Sequence, residues 1–114
     1  MENDVQNFFR NFIKATPKIN RDIPDTARQF MGLADKALAT GALDTKQKEL
    51  IALGIAVAQH CTPCIYLHVQ KAVEAGAARK EIMEAAGVAV LMGGGPAFTH
   101  VAEVIKALEA LNAA

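Results

Sequence analysis

Both cysteines of the chain and two of its three histidines fall within nine positions, in the stretch AQHCTPCIYLHVQ from Ala58 to Gln70. Three chemistries suit such a cluster: metal binding, a disulfide staple, or a reversible dithiol that carries its own base. If Pro63 opens a helix, successive side chains step by about 100 degrees and ~1.5 Å. Cys64 and His68, four residues apart, then share one face with Cβ atoms roughly 5–6 Å apart. Cys61 stands at or just before the helix start, three residues from Cys64, a separation at which a disulfide closes in a turn-plus-helix geometry. A thiol there faces unpaired amide hydrogens and the positive end of the helix dipole, which favour the nucleophilic thiolate, and an imidazole one turn on can take its proton. An attacking sulfur, a base and a resolving sulfur are the parts that a thiol peroxidase or disulfide reductase needs.

The other readings stay beside this one. Zinc wants four ligands, and His60, Cys61, Cys64 and His68 supply four, but adjacent ligands at 60 and 61 diverge and no second C-x-x-C is present. A thioredoxin-type C-x-x-C follows a strand, and no strand pattern precedes this one; Ile65 stands where a c-type haem signature needs histidine. Two inert buried thiols are the structural reading. His60, ending an apolar segment, reads as a dipole partner, His100 as structural or interfacial, and Tyr66 as packing off the Cys64–His68 face. Nothing local marks Glu49 as more than a solvated carboxylate early in a helix.

The elements that must hold these groups read as helices throughout. Apolar residues recur at helical spacing and nothing alternates with period two, so the fold class is all-α, a bundle of five to six helices. A first helix, Asp4 to Ala15, carries Phe8, Phe9, Phe12 and Ile13 on one stripe and should stop before Pro17. After a linker TPKINRDIP, Asp25 can cap a second helix to about Thr40, with Phe30, Leu33, Ala34, Ala37 and Leu38 facing inward and Gly41 ending it. Asp44 with Gln47 forms a capping-box pattern for a third helix, apolar all round from Leu50 to Ala58 and so expected at the centre. Pro63 suits the first position of a fourth helix, capped by Thr62 or Cys61 and stopped by Gly76. A fifth begins near Arg79 and meets GGGP at Gly93 to Pro96, after which the chain forms a sixth helix or continues past a sharp turn.

Length and composition bound the rest. The 114 residues suit one domain, 1–114, with N-terminal helices in 1–43 and the redox core in 44–111. Twelve basic residues balance twelve acidic ones, so no basic field draws nucleic acid or an anionic membrane surface. The start MENDVQNFFRNF has neither the positive region nor the apolar run of a signal peptide, and LIALGIAVA and AAGVAVLM are about half a membrane span, so a cytoplasmic protein with no membrane segment is expected. In that compartment a structural disulfide is disfavoured and metal or redox chemistry gains weight.

The pattern E-x11-C-x2-C-x3-H, here Glu49, Cys61, Cys64 and His68, resembles the core motif of the AhpD-like alkylhydroperoxidases within the carboxymuconolactone decarboxylase family. The resemblance continues through HVQKAVEAGAARKEIMEAAGVAVLMGGGPA, as in the short members, and covers roughly Asp44 to Leu111. It implies an all-helical homo-oligomer, trimer or hexamer, that needs no cofactor and acts on a hydroperoxide or disulfide substrate. By the same resemblance Cys64 attacks, Cys61 resolves, His68 takes the proton of Cys64, and Glu49 orients His68. An external dithiol donor, lipoamide-linked or other, would restore the pair, with a peroxiredoxin as working partner. Pro63 replaces a histidine that the alkylhydroperoxidase proper has before its second cysteine, and the extra helical half of that larger enzyme is absent. Spacing alone does not supply the Glu49 role: a hairpin hinged near His60 leaves Glu49 and His68 offset by ~7 Å before side-chain reach is counted. The reading from a second class is a non-catalytic helical oligomer, metal-binding or not, suggested by the apolar 50–58 and 82–92 segments.

Overall fold

Two side-chain caps start the fold where the sequence places polar residues ahead of apolar periodicity. Asn3 accepts from the Gln6 amide at 2.8 Å and opens α1 (Asp4–Asp22). Asp44 accepts from the Gln47 amide at 2.7 Å and opens α3 (Thr45–Ala58). In both, the glutamine side chain answers back to the cap's own N–H, which satisfies two donors that the first helical turn would otherwise leave unpaired. Between them lies α2 (Pro24–Leu38), and after them α4 (Thr62–Glu74) and α5 (Arg79–Ala110). The structure, a computed structural model, describes residues 3–111, and no strand occurs among them.

Helices α3, α4 and α5 pack on one another, and α1 lays its first turns across them. Leu53 and Val57 of α3, Ile65 and Val69 of α4, and Ile82, Val104 and Leu108 of α5 are wholly enclosed, joined by Val5 of α1. Each such side chain contributes about 1.5–3 kcal/mol by leaving water. Phe8 meets Tyr66 edge-on at 5.8 Å between ring centroids, which pins α1 to α4. Lys46 Nζ reaches Glu81 Oε2 at 2.9 Å and ties the start of α3 to the start of α5. Glu81 also caps α5 through the Ala78 amide; that bond, and then Lys46, hold its carboxyl below the usual range.

Several expected boundaries move. α1 does not stop before Pro17 but runs through it to Asp22, so the supposed linker is helix. Pro17 costs one backbone bond, which an exposed stretch tolerates because water can serve the freed carbonyl, and the break falls instead at Ile23 (φ −135°, ψ 63°), just before Pro24. Asp25 is therefore not the cap of α2. Pro24 occupies its first turn and Asp25 pairs with Arg28 at 3.0 Å. The stripe on α2 does not face a core: none of its residues is buried, and Phe30 and Leu33 are open. α2 ends at Leu38 rather than at Gly41, its last carbonyls taken by Thr45 Oγ1 (to Leu38, 2.8 Å) and Lys48 Nζ (to Ala39, 2.6 Å). α3 is central on one side only, since Ile51 and Ile55 are half exposed.

The segment after GGGP is a further helical stretch reached across a kink, and the two stretches together make up α5. Gly94 (φ 70°, ψ −152°) kinks the element within a single run from Arg79 to Ala110. The bend brings Gly93 against α3: a Cβ there would lie 2.7 Å from Ala97 Cβ and 3.4 Å from Ala58 Cα. As one element α5 is longer than the apolar runs suggested, and among the described residues it is the one helix long and apolar enough to cross a bilayer by length and composition. Its inner face packs on α3 and α4 instead.

Candidate active site

The site hangs on how α3 ends and α4 begins. The amide of Cys61 bonds the Ala56 carbonyl at 3.1 Å and that of His60 bonds Val57 at 3.1 Å, the paired closing bonds of a left-handed helix stop. His60 is the left-handed residue (φ 58°), a position that glycine usually holds and that histidine adopts more readily than most side chains. The chain thus reverses within Gln59–Cys61 and sends α4 back along α3.

Cys61 is the cap of α4: its Sγ accepts from the Cys64 amide at 3.3 Å, and Pro63 falls at the second helical position rather than the first. The two cysteines are joined as a disulfide with Cα atoms 5.3 Å apart, so the structure holds the oxidised form of the pair. Both residues are partly exposed, hence open to a reductant.

Four residues beyond Cys64, His68 turns back toward α3, where its Nδ1 lies 2.7 Å from Glu49 Oε1. Among the described residues Glu49 is the only charged one in the core, its side chain 3% exposed, against 27% for His68. A carboxylate only accepts, so Nδ1 carries the hydrogen and the Nε2 lone pair is left free as a base. The side chains close the offset that helix spacing alone leaves open. Glu49 and His68 thus pair across α3 and α4, and His68 stands one helical turn beyond the Cys61–Cys64 disulfide on α4. Among the described residues no group of three or more histidine, cysteine or acidic side chains is arranged to hold a metal ion. The four-ligand zinc arrangement is not assembled.

Two further contacts escape sequence reasoning. His60 stacks on His100 of α5 with centroids 5.2 Å apart, and His100 Nδ1 donates to the Pro96 carbonyl at 2.8 Å. Tyr66, expected only to pack, also donates its hydroxyl to Glu103 Oε2. Burial foremost, and then Glu103, push the Tyr66 phenol well above its ordinary range. No local signal marks either pair, because both are made by the return of α5 past its kink.

Comparison with known proteins finds relatives along nearly the whole chain. A carboxymuconolactone decarboxylase family protein of Legionella pneumophila has a solved structure that matches with a TM-score of 0.90 at 38% identity, over 95% of this chain and 96% of that one. A Thermotoga maritima member described as "possibly involved in antioxidative response" matches at 0.82 and 29%, over 93% and 90%. A Paracoccus denitrificans protein named for its position in the cox locus is 34% identical over 105 residues, which is 86% of this chain and 95% of that protein. The sequence profile of the carboxymuconolactone decarboxylase family matches residues 24–107, from α2 through nearly all of α5. The chain belongs to the carboxymuconolactone decarboxylase family.

Proposed function

We propose that the protein is a thiol-dependent hydroperoxidase or disulfide reductase of the AhpD-like type, acting in antioxidant defence. The observation that carries this is the 2.7 Å contact between an enclosed Glu49 and the imidazole of His68, one helical turn from a cysteine of a C-x-x-C pair. A carboxylate taken out of water at such cost is hard to account for in an inert bundle, where an apolar residue would fill the space at least as well.

In the reduced protein His68 Nε2 takes the proton of Cys64, and Glu49 stabilises the imidazolium. The Cys64 thiolate attacks the terminal oxygen of a hydroperoxide, the O–O bond breaks, and the alcohol leaves with a proton. Cys64 is then a sulfenic acid. Cys61 attacks that sulfur, water departs, and the disulfide forms. An external dithiol, lipoamide-linked or of another class, attacks the disulfide and leaves as its own disulfide, so two electrons pass from dithiol to peroxide. A reducing compartment such as the cytoplasm would keep the pair loaded, and a peroxiredoxin could share the donor. The antioxidative description of the Thermotoga relative supports this reading. The one-domain chain would work as a homo-oligomer, trimer or hexamer.

The second reading, a non-catalytic oligomer, is favoured by the open apolar surface of α2, α3 and α5, yet it leaves the enclosed Glu49 without a purpose. Peroxide consumption with dihydrolipoamide separates the two. The native protein should turn over while Cys64→Ser and Cys61→Ser do not, and equal rates in all three would refute the redox reading.

A further inference from the structure

We propose that His100 is a positioning residue for the cysteine pair: by stacking on His60 it holds the left-handed turn that fixes the backbone of Cys61, and so sets how readily Cys61 and Cys64 close to a disulfide. The assignment rests on the redox reading of the pair and names a control on its poise that lies on α5, outside the Glu49–His68 contact.

The turn needs something to hold it. Among the described residues His60 is the one non-glycine residue with a positive φ, 58°. A Cβ crowds the backbone in that conformation, so such a residue persists only where its surroundings fix it. Glycine would close the same helix stop without the crowding. Histidine brings a ring instead, and that ring lies on the imidazole of His100, with centroids 5.2 Å apart and planes 28° from parallel.

His100 is itself anchored. Its Nδ1 donates to the Pro96 carbonyl at 2.8 Å, which fixes the ring to its own helix beyond the Gly94 kink. On the other side of that kink α5 also meets the end of α3, since a Cβ on Gly93 would lie 3.4 Å from Ala58 Cα. The turn between Ala58 and Cys61 is therefore braced by α5 at two points.

The turn delivers Cys61 with both of its backbone groups tied. Its amide donates to the Ala56 carbonyl of α3 at 3.1 Å, and its carbonyl accepts from the Ile65 amide of α4 at 2.9 Å. Held so, with φ −102° and ψ 93°, it turns its Sγ to the Cys64 amide at 3.3 Å. None of these ties is the S–S bond, so they act on the dithiol as well. Two thiols held in place before reaction close more readily than two that must first be brought together, which favours the disulfide. Loss of the stack lets His60 return to negative φ and releases the Cys61 amide. The dithiol gains more freedom from this than the disulfide, whose own bond still restrains the pair.

The test equilibrates the full chain in mixtures of dihydrolipoamide and lipoamide, with free thiols trapped by alkylation and counted by mass. In each exchange dihydrolipoamide gives two electrons and two protons to the Cys61–Cys64 bond and closes to its own disulfide. His100→Ala and His60→Ala should each shift the equilibrium toward the dithiol by about 2- to 10-fold, the scale of one ring pair. That shift is a rise in potential of about 10–30 mV. His60 is exposed and His100 half-buried, so both variants should keep the fold. His100→Phe, which keeps a ring on His60, should stay near the native value. His60→Gly should shift less than His60→Ala, because glycine adopts the turn unaided, and His100→Ala should add nothing in the His60→Gly background. A contact that only stabilises the fold would lower unfolding midpoints in the alanine variants and leave the thiol equilibrium where it was. That result would overturn the proposal, as would a full His100→Ala shift in the His60→Gly background. The readout needs no peroxide turnover. The expected shifts in a protein without peroxidase activity would sink the catalytic reading and leave this one standing, and unshifted equilibria in an active enzyme would do the reverse.

Discussion

Glu49 and His68 are separated by nineteen residues along the chain, and their side chains meet at 2.7 Å across the α3–α4 pair. The meeting depends on the reversal at His60, where a left-handed histidine stops α3 and lets the next two residues start α4. It leaves a carboxylate inside the core against a half-open imidazole, and it fixes which nitrogen of that ring keeps a lone pair.

That pairing can be taken apart in two ways. Asparagine at 68 places its amide nitrogen where Nδ1 now lies, so His68→Asn keeps a donor for Glu49 but removes the base. The rate of peroxide consumption should fall by about 10²–10⁴, the usual worth of a positioned general base, and alkylation of reduced Cys64 at neutral pH should slow with it. His68→Ala removes the donor as well and strands an enclosed carboxylate, which should cost about 3–5 kcal/mol in urea unfolding while His68→Asn costs far less. Native rates in His68→Asn would remove the relay. Equal unfolding midpoints for the two variants would show that Glu49 does not need its partner.

The parts of this site legible in the sequence are the local ones. The Asp44–Gln47 cap, the Cys61–Cys64 spacing and the His68 turn follow from residues three or four apart, where helix geometry is fixed. The Glu49 contact was reachable only through family resemblance, because it depends on how two helices cross after the turn at His60. Pro17 misled for a related reason. A proline raises the cost of a helix locally, but whether the helix stops depends on competing breaks, and Pro24 with Ile23 provides a better one seven residues on. The stripe on α2 has the spacing the sequence implies, yet Phe30 and Leu33 stay open, because amphipathicity marks a face without saying which neighbour it meets.

The kink in α5 rests on two neighbouring glycines with different duties. Gly94 has φ 70° with ψ −152°, a region essentially closed to other residues, so Gly94→Ala should cost about 1–3 kcal/mol by backbone strain alone. Gly93 is in ordinary helical backbone but faces Ala97 Cβ and Ala58, so Gly93→Ala should cost about 1–3 kcal/mol by crowding. The two causes separate on the second substitution. Ala97→Gly should recover part of the loss in Gly93→Ala and none in Gly94→Ala, as read from denaturant midpoints. Recovery in both would assign the kink to packing rather than to backbone conformation.

Tyr66 offers a pH readout with a single reporter, because it is the only tyrosine and the chain has no tryptophan. Burial and the bond to Glu103 raise its phenol above the ordinary value of 10.0. A raised acid means that the folded state holds its proton longer than the unfolded one. The stabilisation is complete below pH 10, the unfolded value, and is lost as pH climbs from there through the folded value. Difference absorbance should therefore show no tyrosinate in the folded protein at pH values where the denatured chain has ionised. Unfolding midpoints of the native protein should fall more steeply above pH 10 than those of Tyr66→Phe, in which this linkage is absent while the alkaline titration of the lysines remains common to both. Parallel curves for the two proteins would mean that the hydroxyl of Tyr66 is hydrated in the fold, and that Glu103 meets Lys106 rather than the phenol.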